Sequence, residues 1–287
     1  MKRIATAKTK DTSLEIPKAN ILASLEANNV AILPPMDILD SLTFLKKVGF
    51  HATVTMIDPW YNKGVGGVRE DYIEYIVNIL DNTKDVSLHI YLWGFPEIVA
   101  RFVERIPKPL GLVAWLTWYY KNSPSVIKGW RSSQIACLHL AHPKAKLYPE
   151  HFLNEVQKEK LAQGKLRYMP GPTSVIEDSL LVGFVGRKEQ TGHPAQKPVG
   201  VYEKLFLMVT REDDVVFDLM AGSGTTGEIA KKLELKAILC DCSEEYTQIM
   251  EKRLEVARIS FKELFKYKSR PISRKPKLSE WLLECSK

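Results

Sequence analysis

The stretch "VVFDLMAGSGTTGEIAKKL" (215–233) decides the fold. A short apolar run ends at Asp218, a G-x-G-x-x-G turn follows through Gly222, Gly224 and Gly227, and helical spacing takes over. Such a turn between strand and helix lets backbone approach a ligand closely, with the helix N-terminal amides facing it. Glycine turns of this kind also arise for packing, so the surroundings matter. Asp241 closes the next expected strand, 19 residues after Gly222. An acid there can accept hydrogen bonds from ribose hydroxyls. No Gly-Lys-Ser/Thr follows the turn, which excludes a P-loop.

Only one convincing strand, 236–242, follows the turn before a helical tail. In a nicotinamide enzyme the fingerprint opens a domain and several strands come after it. Here the remaining strands must come from earlier sequence, so the sheet is read as assembled in circularly permuted order. The upstream pattern supplies them. Strands are expected at 29–35, 51–58, 86–94, 110–120 and 133–142. Helices are expected at 36–49, with Ile38, Leu42 and Leu45 in register, at 69–82, with Ile73, Ile76, Val77 and Leu80, and at 96–106. The fold class is α/β: a Rossmann-like, largely parallel sheet with helices on both faces.

The outlying segments differ in character. Residues 1–28 are expected to be an N-terminal arm. Residues 143–192 break the alternation with Pro, Gly and Lys and read as an insertion with little core, carrying one short helical piece near 150–162. That leaves 29–142 and 193–260 as two halves of one domain. The tail 261–287 is basic, equally readable as a solvated helix and loop or as nucleic-acid contact.

Bulk composition narrows the partners. A net charge of +7 over 287 residues leans towards a polyanion. Of four cysteines, only Cys240 and Cys242 are close; with no second such pair they are expected to be buried and reduced, and no metal site is expected. The N-terminus has no apolar h-region and no run of about 18 apolar residues occurs, so a cytoplasmic protein with no membrane span is expected.

A second strand-end motif lies upstream of the glycine turn: "DPWY", Asp58-Pro59-Trp60-Tyr61. In chain order there follow the 143–192 insertion, "HPAQKP" (193–198) and "DLMAGSGTT" (218–226). This series resembles the permuted β group of S-adenosylmethionine-dependent DNA amino-methyltransferases, which methylate exocyclic amines of DNA bases. Their motifs run [DNS]-P-P-[YFW], a target-recognition segment, H-P-x-Q-K-P, then D-x-F-x-G-S-G-T-T. The likeness spans roughly 30–258. Two departures stand out: Trp60 replaces the second proline, and Leu219 and Met220 replace Pro-Phe. The second is expected to affect packing alone.

The resemblance implies a methyltransferase sheet with a small target-recognition insertion, and S-adenosylmethionine as cofactor. Asp58 and the Pro59 carbonyl would each accept an N–H of the target amine, while Tyr61 and Trp60 would stack on the flipped base. Asp218, Ala221, Gly222, Gly224, Thr225 and Thr226 would hold the methionine portion, Asp241 the ribose and Asp37 the adenine edge. His193, Gln196 and Lys197 match the hexapeptide whose lysine lies near the cofactor carboxylate. For DNA, the loop carrying Ser123, Pro124, Lys128 and Arg131 is base-proximal; Lys144, Lys146, Lys165, Arg167, Arg187 and Lys188 are available for phosphates. Duplex DNA is the implied partner, and a homodimer and a cognate restriction endonuclease are left open.

Because the tetrapeptide begins with aspartate, N6 of adenine is favoured over N4 of cytosine, where serine is frequent. A degenerate, non-catalytic DNA-binding subunit is the alternative that Trp60 raises. An oxidoreductase would leave "DPWY" and "HPAQKP" unexplained.

Overall fold

A computed structural model describes residues 12–62, 68–123 and 129–265. The first half runs α1 (Thr12–Asn28), β1 (Val30–Ile32), α2 (Ile38–Val48), β2 (Ala52–Ile57), α3 (Tyr72–Thr83) and β3 (Ser87–Gly94). It continues through α4 (Pro96–Val99), which tightens into a 3-10 helix to Arg105, to β4 (Gly111–Tyr119) and β5 (Gln134–Ala141). The second half runs α5 (Glu155–Ala162), β6 (Val175–Glu177), α6 (Val199–Val209), β7 (Val215–Asp218), α7 (Thr225–Lys232), β8 (Lys236–Leu239), α8 (Glu244–Leu254) and α9 (Phe261–Leu264).

These strands form one sheet in the order β1-β8-β7-β2-β3-β5-β4-β6. Strands from the two halves interleave: β7 lies against β2, and β8 against β1. The pairs from β1 through β3 are parallel, β5 is antiparallel to both its neighbours, and β6 is parallel to β4.

Strand alternation divides the core between two faces. Phe217 of β7 and Ile238 of β8 join a cluster with Leu42, Phe44, Ile73, Ile76 and Leu80 beneath α2 and α3. Their neighbours Val216, Ala237 and Leu239 face the other way, packing on Leu205, Phe206 and Ile229 of α6 and α7. Leu219 is fully buried in the first cluster and Met220 packs partly buried against it.

Several expectations are corrected. Residues 12–28, read as an arm, are helical: Ile21 and Leu25, one turn apart, are buried and Leu14 packs beside them, a stripe masked by polar neighbours and by Pro17. The segment 96–106 is one turn of α-helix followed by 3-10 helix. The insertion adds a strand, β6, to the sheet edge, although most of 143–192 is exposed. Cys240 is buried but Cys242 is exposed, because β8 stops at Leu239 and the chain turns into α8. Of the tail, Phe265 packs edge-on against Phe44 at 5.2 Å, while residues 266–287 lie outside the described residues. Among the described residues no helix is long and apolar enough to cross a membrane, and no group of three or more metal-ligating side chains occurs.

Candidate active site

Since β8, β7, β2 and β3 are adjacent and parallel, their carboxyl ends share one edge. Asp241 stands just past β8, Asp218 ends β7, Asp58 follows β2 and Phe95 follows β3. That edge is where open α/β sheets bind ligands.

The turn after β7 is packed closely by His193 on one side and by Met250 and Leu254 of α8 on the other. Gly222 and Gly224 have φ of 49° and 76°, the left-handed region that glycine enters without strain. A Cβ at Gly222 would lie 2.8 Å from His193 Nε2. The Asp241 carboxylate accepts the N–H of Gly222 and that of Ser243, each at 2.9 Å, which holds the turn against the end of β8. Asp218 accepts the Thr226 hydroxyl at 2.5 Å and the Met220 N–H at 3.3 Å, and burial lifts its pKa to about 7. Asp37 is exposed at the start of α2, accepting the Leu39 N–H at 2.9 Å and the Tyr75 hydroxyl at 3.1 Å. The preceding Met36 N–H bonds the Asp241 carbonyl at 3.2 Å, so Asp37 and Asp241 lie at the same corner.

The "DPWY" turn sits one strand away. Asp58 forms an ion pair with Lys197, which is 3% exposed. Tyr61 donates its hydroxyl to the other Asp58 oxygen at 2.8 Å, and the Tyr202 hydroxyl lies 3.5 Å from the oxygen that meets Lys197. The Lys197 ammonium also lies over the rings of Tyr61 and Trp93, at 5.4 and 5.6 Å. Burial and the neighbouring Asp58 charge hold the Tyr61 hydroxyl well above its usual pKa, so it stays a donor. Pro59 is buried and Tyr61 meets Phe95 edge-on at 4.9 Å.

Trp60 points elsewhere. Its indole packs edge-on to Tyr72 at 5.3 Å and tilted to Tyr75 at 6.0 Å, and its carbonyl accepts the Tyr72 hydroxyl at 2.7 Å. The apolar face of α3 holds the ring, which was expected to stack on the target base.

The hexapeptide divides its duties. His193 is edge-on to Tyr246 at 4.3 Å, with its pKa lowered chiefly by burial. Gln196 staples its own loop, accepting from the Thr191 N–H and hydroxyl at 2.9 and 2.8 Å and donating to the Glu189 carbonyl at 2.8 Å. The Lys197 carbonyl accepts the Thr225 hydroxyl at 3.0 Å, tying the hexapeptide to the first turn of α7. Ala221 is buried beside these residues. Sequence reading missed Tyr202, which stacks on Trp93 at 5.9 Å, and Arg253, which donates to the Ser223 carbonyl at 3.1 Å and the Thr225 hydroxyl oxygen at 3.0 Å. The signal for Arg253 was its helical position on α8, packed behind the glycine turn.

The residues assigned to DNA separate. Ser123 and Arg131 flank the tip of the β4–β5 hairpin at the catalytic edge, with Arg131 Nη1 3.4 Å from the Ser123 carbonyl. Pro124 and Lys128 lie outside the described residues. Lys144 and Lys146 follow β5 to the opposite edge, where the Lys146 carbonyl meets His89 near the start of β3 at 3.0 Å. A strand of that length spans about 25 Å, which puts both lysines out of reach of Asp58. Lys165 and Arg167 are exposed between α5 and β6, and Arg187 and Lys188 are exposed before the hexapeptide.

The Asp218 and Asp241 carboxylates at the ends of β7 and β8, beside the first turn of α7, fit a nucleoside bearing a charged amino-acid arm. The N6/N4 DNA methylase family matches residues 55–252, a span that contains the "DPWY" turn, the hexapeptide and the glycine turn. The chain belongs to that family. It is 28% identical over 211 residues to the type II methyltransferase M.HpaI of Haemophilus parainfluenzae, covering 69% of this chain and 66% of that protein, just under two thirds of its length. It is 36% identical over 267 residues to the DNA adenine methyltransferase YhdJ of Escherichia coli (strain K12), covering 84% and 90%. The crystal structure of the M1.HpyAVI–SAM complex shares this chain's fold, with a TM-score of 0.61 at 19% identity over 78% of this chain and 98% of that one. The family depends on S-adenosylmethionine.

Proposed function

We propose that this methylase transfers a methyl group from S-adenosylmethionine to N6 of adenine in DNA, on a base flipped out of the duplex. One observation carries the proposal: Asp58, a carboxylate oriented by Lys197 and Tyr61, stands one strand from the glycine turn. When bound, the cofactor supplies an electrophilic methyl on a sulfonium. Asp241 and Asp37 would accept hydrogen bonds from its hydroxyls and adenine, and the 221–226 turn would hold its amino-acid arm.

The protein's task is to position and polarise a poor nucleophile. An exocyclic amine gives its lone pair to the ring. Accepting one N–H at Asp58 and the other at the Pro59 carbonyl draws nitrogen out of conjugation. Each carboxylate oxygen has two lone pairs, so the contacts to Tyr61 and Lys197 leave acceptor capacity. As positive charge grows on nitrogen, the Asp58 carboxylate stabilises it; the surplus proton goes to Asp58 or solvent.

The aspartate at position 58 and the likeness to an adenine methyltransferase favour adenine. N4 of cytosine presents the same chemistry and is the second reading. The degenerate-subunit alternative is disfavoured by the intact surroundings of Asp58, whose carboxylate keeps Lys197 and Tyr61 as partners although Trp60 takes the place of a proline. The likeness to a type II methyltransferase supports including a cognate endonuclease in the proposal, and we include a homodimer and a cytoplasmic location. Tritium transfer from labelled cofactor to duplex DNA, followed by digestion to nucleosides, tests the reaction: N6-methyladenine is expected, N4-methylcytosine would move the assignment, and no transfer to any DNA would sink it.

A further inference from the structure

Among the described tryptophans, Trp60, Trp93, Trp115 and Trp118 are buried or half-buried, whereas Trp130 is 99% exposed. It sits in the tip between β4 and β5. Because Ala136 of β5 pairs with Gly94 at the end of β3, the residues that lead into β5, Trp130 among them, stand at the edge that carries Asp58. Trp130 and Arg131 line an open cavity of about 600 Å³ with Phe95, Pro96 and Glu97. Phe95 is also the ring that meets Tyr61, so the cavity and the Asp58 turn share a wall. Ser132, Ser133 and Gln134 add hydrogen-bonding groups to its rim.

Flat rings beside serines, an amide and one charge of each sign suit a ligand with apolar faces and a polar edge. A nucleobase has that form, and an aliphatic peptide does not. The surrounding charge suits its backbone: Asn122 of the hairpin exchanges two 2.8 Å hydrogen bonds with Leu180, which brings the loop bearing exposed Phe184, Arg187 and Lys188 to the same edge. Extruding a target base leaves other bases with open faces, and a ring offered to one of them offsets part of the unstacking cost.

We propose that Trp130 is a base-stacking residue that holds, in this cavity, an unpaired DNA base other than the methylation target. The inference rests on the proposed function, which supplies the opened duplex. It needs no knowledge of the recognition sequence to test. In a Trp281→Phe background, the tryptophan emission of the full chain is titrated with a single-stranded oligodeoxynucleotide and with an abasic oligomer of equal length and charge. The expected result is quenching and protection from acrylamide by the first alone. Trp130→Leu should remove the optical change and weaken oligonucleotide binding about tenfold, while Trp130→Tyr restores binding and neither variant alters affinity for S-adenosylhomocysteine. Equal quenching by the abasic oligomer, or unchanged binding by Trp130→Leu, would overturn it. Methyl transfer by the wild type is scored separately: transfer without stacking sinks this inference alone, and stacking without transfer sinks the functional proposal.

Discussion

The buried Lys197 ammonium and the half-buried Asp58 carboxylate form an ion pair that joins two motifs 139 residues apart. The pair couples the "HPAQKP" loop to the "DPWY" turn, and Thr225 extends the link to the glycine turn through the Lys197 carbonyl. Lysine therefore does more than await a cofactor: it sets the orientation of the carboxylate proposed to meet the amine.

Asp58→Ala should abolish methyl transfer while S-adenosylhomocysteine affinity stays within a few-fold, since Asp58 bonds none of the glycine-turn residues. Single-turnover transfer and calorimetric titration check the two halves; an active variant refutes the assigned role.

Lys197→Met should destabilise the fold by about 3 kcal/mol, because it leaves the Asp58 charge desolvated without its partner. Adding Asp58→Asn should recover part of that loss, since removing both charges costs less than stranding one. Denaturant unfolding of the three variants gives the cycle. A double variant less stable than Lys197→Met would show that the pair is stabilised otherwise.

Trp60 makes the opposite kind of prediction. With its indole against Tyr72 and Tyr75, Trp60→Ala should cost about 2 kcal/mol of stability by opening a gap under α3. Tyr72→Phe should cost about 1 kcal/mol, the hydrogen bond to the Trp60 carbonyl. Thermal unfolding reads both. Lost DNA binding by Trp60→Ala with stability intact would return the ring to a stacking role.

The contrast between these residues shows what the sequence carries. Asp58, Lys197, Gly222 and Asp241 lie in contiguous motifs, and alternation placed their strands in one sheet, so the catalytic edge was legible from the chain. The packing of Trp60 on Tyr72 and Tyr75 was not legible, because its direction is set by α3, whose buried face comes from residues a loop away. The three-residue β6 is too short to show a period, and α1 hides its apolar stripe in a polar, proline-containing run. Lys144 and Lys146 looked equivalent to Arg131 as charges; only the antiparallel course of β5 sends them to the far edge.

Asp241→Asn should weaken S-adenosylhomocysteine binding at least about tenfold, because an amide presents a donor where two backbone N–H groups converge. Calorimetry checks it, and unchanged affinity would remove Asp241 from the cofactor site.

Acid stability depends on a histidine pair far from Asp58. His89 and His139, both buried, share a 3.0 Å contact between Nδ1 and Nε2, and His89 Nε2 meets the Lys146 carbonyl at 3.0 Å. A carbonyl only accepts, so His89 carries its proton on Nε2 and its Nδ1 accepts from His139. A second proton on His89 would set two donors face to face. Burial lowers the pKa of His89 to about 4, against opposing effects of the Lys146 carbonyl and Asp214, with His142 lowering it further; burial and His89 lower that of His139 to about 3. Both values lie below the unfolded 6.5, so the unfolded chain takes up protons first. The stabilisation is full above about pH 6.5 and is lost as pH falls through 4 towards 3. Unfolding free energy should therefore fall by roughly a few kcal/mol across that window. His139→Gln should flatten the limb by removing one titration and retaining a donor. A wild-type stability that is level from pH 6.5 to 4 would show that the pair is protonated in the folded protein.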